Sequence, residues 1–125
     1  MNIDEFTYKY KKHYGQKLDH EQMIDILAKN YHGYGTEREL VIIMEELAEL
    51  IQQVSKMYRH QEDPMHLLEE IADVYICLEQ LKMIADIFPT AVDTAMIVKL
   101  NVINKRLKTS ATDFDSHDQS GLIDE

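Results

Sequence analysis

Apolar side chains recur every three or four residues along most of the chain, which is the spacing of an amphipathic helix. One stripe runs from Leu40 to about Tyr58, and a second covers Leu67 to Phe88. No segment alternates apolar and polar residues with a period of two, and no Asn-Gly or Asp-Gly hairpin dipeptide occurs. The pattern therefore predicts an all-α protein.

Helix-start signals divide the pattern into five helices. A short first helix is expected over residues 3–14, and Asp19, with Gln22 three residues later, predicts the cap of a second. Residues 36–39 (Thr-Glu-Arg-Glu) match a capping box and predict the start of the third. Asp63-Pro64 predicts the fourth, and Thr90 the last.

Helix-breaking residues supply the expected ends. Gly33-Tyr34-Gly35 interrupts the second helix, and Pro89 stops the fourth after Phe88. The last helix continues to Leu107, and the polar segment 109–125 is expected to be a disordered acidic tail.

With 125 residues, the chain fits one domain. We expect this domain at 1–108, with N-terminal helices in 1–35 and a core in 36–107. The short polar link after Tyr58 makes the two long helices antiparallel neighbours in a four-helix core. Their apolar stripes exceed what one small bundle buries, which favours a homodimer or homotetramer.

Two acidic clusters lie inside the long helices, at residues 45–49 (Glu-Glu-Leu-Ala-Glu) and 69–73 (Glu-Glu-Ile-Ala-Asp). Helical spacing places Glu46 with Glu49 on one face, and Glu70 with Asp73 on another. The turn between the helices leaves the clusters offset by only roughly 3 Å along the axis. The four carboxylates are therefore expected to meet.

Like charges at this spacing repel, so a shared counter-charge is expected. Mg²⁺, or Mn²⁺ in its place, prefers carboxylate oxygens and leaves positions for water and phosphate. Such a site suits phosphoryl or nucleotidyl transfer, with Glu45 or Glu69 taking the proton of the attacking water. A solvated acidic face is the alternative; it is favoured for one such motif, whereas two on adjacent helices favour metal.

Composition excludes other functions. The net charge of −10 argues against binding duplex nucleic acid or anionic membranes. No apolar run has the length of a membrane span. One cysteine, Cys77, and no signal-peptide pattern lead us to expect a cytoplasmic protein. No histidine follows a glutamate by three residues, which disfavours a di-iron bundle, and no Cys/His set has zinc spacing.

The two clusters resemble the EExxE…ExxD signature of MazG-like nucleoside triphosphate pyrophosphohydrolases, and the resemblance covers roughly residues 36–107. It implies Mg²⁺ held by Glu46, Glu49, Glu70 and Asp73, with Glu45 assisting the attacking water. It implies hydrolysis of a nucleoside triphosphate substrate to the monophosphate and pyrophosphate, as house-cleaning or pool control.

Substrate contacts are expected from basic and amide residues. Lys56 lies two turns past Glu49 on the same face and is suited to reach phosphate. The resemblance adds residues of the last helix: Lys99, Asn101, Asn104 and Arg106. For the two basic residues, a charge favoured by the helix macrodipole is an equal explanation. The alternative function is a non-catalytic helical module that binds nucleotide or another protein.

Overall fold

The computed structural model describes residues 3–113, which form five helices and no strand. These are α1 (Ile3–Tyr14), α2 (His20–Tyr34), α3 (Thr36–Tyr58), α4 (Pro64–Ala85) and α5 (Pro89–Asp113). The predicted all-α class is confirmed. The chain divides after Asp86 into two units, with α1–α4 in the first and α5 in the second.

The first unit is organised around the antiparallel hairpin of α3 and α4, which have the most extensive helix–helix contact in the unit. The two helices are joined by residues 59–63, where His60 adopts a left-handed conformation with φ 57°. The buried apolar side chains are Ile43 from α3 and Met65, Val74 and Cys77 from α4. The packing of these side chains places the two acidic clusters at the same level along the axis of the hairpin.

Two of the predicted helix caps are confirmed. Asp19 and Gln22 form a reciprocal capping box at α2, with Gln22 N donating to Asp19 Oδ1 at 2.8 Å. At α4, Asp63 Oδ1 accepts from Met65 N at 3.0 Å, and Pro64 occupies the first turn. A side-chain oxygen at each site satisfies backbone N–H groups that have no partner within the helix.

The capping box predicted at Thr36 is wrong. Gly35 is the N-cap of α3, with φ 84° and no side-chain hydrogen bond, so Thr36 already lies inside the helix. A φ of this sign costs glycine little, whereas other residues rarely adopt it. Thr36 Oγ1 instead lies 2.8 Å from Tyr31 Oη, and Glu39 turns inward, where its Oε1 accepts from Asn30 Nδ2 at 3.4 Å.

Several helix ends differ from the expected ones. Helix α2 continues through Gly33 and ends at Tyr34, and α4 ends at Ala85, where Asp86 adopts a left-handed conformation. Helix α5 begins at Pro89, one residue before Thr90, and continues to Asp113. Residues 109–113 of the expected tail are therefore helical, and 114–125 lie outside the described residues.

Hydrogen bonds connect α2 to the hairpin, and none of the α2 side chains is fully buried. Gln80 is only 2% exposed, and its Nε2 donates to the carbonyl oxygen of Leu27 at 2.7 Å. One turn further along α2, Asn30 donates to the buried carboxylate of Glu39. Among residues 3–113, no helix is both long enough and apolar enough to cross a membrane.

Candidate metal centre

Three carboxylates converge where α3 faces α4. One oxygen from each of Glu46, Glu49 and Glu70 lies within 4.8 Å of the other two. Asp73 is outside this triad but lies close enough to Glu46 for its negative charge to raise the pKa of Glu46. The structure therefore brings together three of the four predicted ligands, with the fourth beside them.

The cluster is partly withdrawn from water. Glu46, Glu70 and Asp73 are half-buried, while Glu49 is exposed. Glu46 Oε2 and Glu70 Oε2 are buried and have no hydrogen-bond partner. A buried acceptor without a partner costs free energy, and most such groups in proteins are satisfied. These two oxygens distinguish the cluster from a solvated acidic face.

Burial and mutual repulsion shift the ionisation of these acids towards the neutral form. For Glu70, burial comes first, then the hydrogen bond and charge of Glu49, and these raise its pKa to about 7. Burial is also the largest cause of the raised pKa of Glu46, followed by the charge of Asp73. The pKa of Asp73 is raised mainly by burial, against a hydrogen bond with Glu46 that lowers it. Without a cation, Glu70 is therefore protonated in a substantial fraction of molecules near neutral pH.

The donor set fits a hard divalent cation. Mg²⁺ binds oxygen at about 2.0–2.1 Å in octahedral geometry, which places neighbouring ligand oxygens roughly 3 Å apart. Three oxygens within 4.8 Å of one another would have to move closer together, by rotation of their side chains, to ligate one such ion. The two unpartnered oxygens would gain a ligand, and the charge that raises these pKa values would be neutralised. Glu46, Glu49 and Glu70 would hold the ion, with Asp73 alongside.

Other predicted residues surround this cluster on the hairpin. Glu45 is exposed on α3, directly before Glu46, while Glu69 on α4 is half-buried. Its charge contributes to raising the pKa of Asp73. Lys56 is half-buried two turns beyond Glu49, about 10 Å along the helix axis. A basic residue therefore lies on the same helical face as the acids.

The four candidates on α5 fall on two helix faces. At about 100° per residue, Lys99 and Arg106 lie within roughly 20° of each other, and Asn101 and Asn104 lie on the opposite side. Lys99, Asn101 and Asn104 are exposed, and Arg106 is half-buried. One ligand cannot contact both pairs from a single helix face. Their role in substrate binding stays a prediction.

Sequence reasoning missed a line of polar groups along the inner face of the hairpin. Glu39, Glu46 and Gln53 recur at intervals of seven residues on α3, and Gln53 Oε1 is buried without a hydrogen-bond partner. The signal was available, because Glu39 and Gln53 are each seven residues from Glu46. It was hidden because polar residues at such positions are usually assigned to solvent.

Cys77 is buried on α4. Burial, followed by the charges of Glu46 and Asp73, raises the pKa of its thiol to about 11. A thiol with this pKa remains protonated at neutral pH and is a poor nucleophile. Cys77 is therefore a packing residue.

No protein family matches this sequence, and comparisons with curated proteins and with solved structures likewise return no match. Fold and site together therefore define the class: an all-α protein whose central helical hairpin carries a candidate divalent-metal site.

Proposed function

We propose that this protein is a Mg²⁺-dependent pyrophosphohydrolase that converts a nucleoside triphosphate to the monophosphate and pyrophosphate. The observation that supports this function best is the triad Glu46, Glu49 and Glu70, with two buried carboxylate oxygens that lack partners. A triphosphate needs such a cation at an acidic site, since carboxylates alone repel it. The resemblance of both acidic clusters to the MazG-like signature supports the same reaction.

In the proposed reaction, water attacks the α-phosphorus and the bond from that phosphorus to the bridging oxygen breaks. Glu45 takes the proton of the water, and pyrophosphate leaves with the bridging oxygen. Glu45 is exposed beside Glu46, so it is accessible to bulk water for releasing that proton. When bound, Mg²⁺ supplies charge neutralisation of the phosphates.

Lys56 is the proposed phosphate contact from the hairpin, because it is on the same face of α3 as Glu49. From α5, helical geometry admits either Lys99 with Arg106 or Asn101 with Asn104. The basic pair suits phosphate, and the amide pair suits sugar or base. We propose a homodimer or homotetramer as the working state, because α3 and α4 leave many large apolar side chains exposed.

The test is pyrophosphate release from a panel of ribo- and deoxynucleoside triphosphates with Mg²⁺. Glu49→Gln and Asp73→Asn are expected to abolish turnover while leaving the helical circular dichroism signal unchanged. Each removes a charge and retains side-chain size. Glu62→Gln is the matched control, since Glu62 lies exposed in the link between α3 and α4, outside the cluster. Loss of helix in both cluster variants would mark these acids as structural.

The same assay separates the enzyme from a non-catalytic module. Binding of nucleotides without turnover of any, in the presence of Mg²⁺ or Mn²⁺, would favour the module. Neither binding nor turnover over the whole panel would remove the nucleotide from the proposal. Turnover by Glu62→Gln but not by Glu49→Gln is the result expected for the enzyme.

A further inference from the structure

Gln53 carries a polar group that the proposed function does not use. Its side chain is half-buried on α3, and Oε1 of its amide is buried without a hydrogen-bond partner. A buried acceptor without a donor costs free energy, so most such groups in proteins are bonded to the protein or to ordered water. The oxygen therefore requires a donor that the described residues do not provide.

The helical register of α3 turns Gln53 towards the acidic cluster. At about 100° per residue, Gln53 lies roughly 20° from Glu46 and 40° from Glu49 around the helix axis, between the two. It follows Glu49 by four residues, which places their Cβ atoms about 6 Å apart. Side chains on a helix tilt towards its N-terminus, so Gln53 leans back towards Glu49. The unpartnered oxygen is thus one helical turn from the carboxylates.

The facing helix does not provide the missing donor. The hydrogen bond between Glu49 and Glu70 sets the level of the two antiparallel helices, and this places Gln53 opposite the first turn of α4. Two backbone N–H groups of that turn already donate to Oδ1 of Asp63. On α3, the next donor along this face is Lys56, one turn further from the cluster, and it does not bond the amide oxygen. Water is therefore the donor to consider.

The candidate metal centre would hold such water. Mg²⁺ keeps several of its waters when carboxylates bind it, and Glu46, Glu49 and Glu70 provide only three oxygens for an octahedral ion. Acceptors beyond the ligands orient what the ion binds and tune its affinity. A glutamine is suited to this place, because its oxygen accepts a hydrogen bond without adding charge to acids that already repel one another.

We propose that Gln53 is a positioning residue of the candidate metal centre, whose amide oxygen accepts a hydrogen bond from water held by the cation. The proposal rests on the metal centre that the proposed function uses, and not on hydrolysis of a nucleotide. It assigns to Gln53 no direct contact with the ion.

Metal affinity gives the first test, with Mn²⁺ as the probe and the electron paramagnetic resonance signal of free Mn²⁺ as the measurement at pH 8. Gln53→Met removes the acceptor and keeps an unbranched side chain, and it is expected to bind Mn²⁺ about tenfold more weakly than wild type. Gln53→Glu keeps an acceptor oxygen and is expected to bind at least as tightly as wild type. Gln52→Met is the matched control, because Gln52 is exposed and about 100° around the helix from Gln53.

Two further measurements separate positioning from packing. The exchange rate of water on bound Mn²⁺, from oxygen-17 relaxation, is expected to rise severalfold in Gln53→Met and not in Gln52→Met. The melting temperature of Gln53→Met in chelator is expected to equal or exceed that of wild type, because the substitution removes a buried acceptor that has no partner.

The outcomes distinguish this proposal from the proposed function. Equal Mn²⁺ affinity and water exchange in Gln53→Met and wild type would overturn the role of Gln53 and leave the metal centre in place. Equal weakening in Gln52→Met, or a lower melting temperature of Gln53→Met in chelator, would also overturn it. A wild type that binds no Mn²⁺ would overturn both proposals. If Gln53→Met behaves as expected and no triphosphate is hydrolysed, the proposed function fails and the role of Gln53 stands.

Discussion

Glu70 shows how the surroundings of one side chain set the properties of the whole cluster. Its carboxyl is half-buried, one of its oxygens has no partner, and Glu49 and Glu46 lie next to it. Each of these conditions favours the protonated form, and burial is the largest contribution to its raised pKa. The charged form of Glu70 therefore destabilises the folded protein when no cation is bound. A bound cation would remove this cost by neutralising the charge.

The metal-free protein is expected to lose stability as the pH rises from 4.5 to about 7, the interval between the ordinary and the folded-state pKa of Glu70. In that interval the folded state binds more protons than the unfolded state, so the free energy of unfolding falls with rising pH. Thermal melts in chelator across this range provide the measurement. Glu70→Gln is expected to flatten the dependence, and a stability that rises with pH in wild type would contradict the assignment.

The residues of the cluster were predictable because helical spacing alone places them. Glu46 with Glu49, and Glu70 with Asp73, follow from positions three apart and from a short link between two helices. The inward turn of Glu39 and Gln80 was not predictable in this way. Each depends on a partner from α2, Asn30 and the carbonyl of Leu27, whose position is set by tertiary packing.

Among the helices, the two long ones differ in how their first turns are satisfied. Asp63 caps α4 through its side chain, whereas Gly35 begins α3 without a side-chain bond. Asp63→Ala is therefore expected to lower the free energy of unfolding by about 1 kcal/mol. Thr36→Ala is expected to cost less, because Thr36 bonds only Tyr31 at an exposed site. Urea denaturation of both variants measures this order, and a larger loss for Thr36→Ala would restore the predicted capping box.

Helix ends departed from prediction where local signals competed. A glycine inside a helix costs about 1 kcal/mol, yet α2 continues through Gly33 and uses Gly35, which has positive φ, as its end. Pro89 was expected as a stop for α4, but proline also suits a first helical turn, and it opens α5 instead. Asp86 had already ended α4 in a left-handed conformation. In both places the sequence offers a stop signal and a continuation or start signal, and the backbone conformation at Gly35 and Asp86 decides which one applies.

At the scale of the molecule, apolar periodicity predicted the all-α class and the central hairpin, since both depend on long amphipathic stripes. The separation of α5 into its own unit was not predicted, because periodicity does not report which helices pack together. Hydrogen bonds connect α2 to the hairpin, and few apolar side chains are fully buried among the described residues. A ligand that binds the folded state and not the unfolded chain would add to the stability that this small core provides.

Mg²⁺ is expected to raise the melting temperature of the protein, because the ion binds the folded cluster and has no equivalent site in the unfolded chain. At a hundred times the dissociation constant, binding contributes about 2.7 kcal/mol, which corresponds to several degrees for a chain of this size. Thermal melts at pH 8 with and without Mg²⁺ measure the shift.

The shift is expected to be small at pH 5, because Glu70, with its pKa raised to about 7, then holds a proton that competes with the ion. Glu49→Gln is expected to reduce it, and Glu62→Gln to leave it unchanged. An equal rise in wild type and Glu49→Gln would show that the ion acts on the general charge of −10 and not at the cluster. Because melting requires no turnover, this result bears on the metal site even if no nucleotide is hydrolysed.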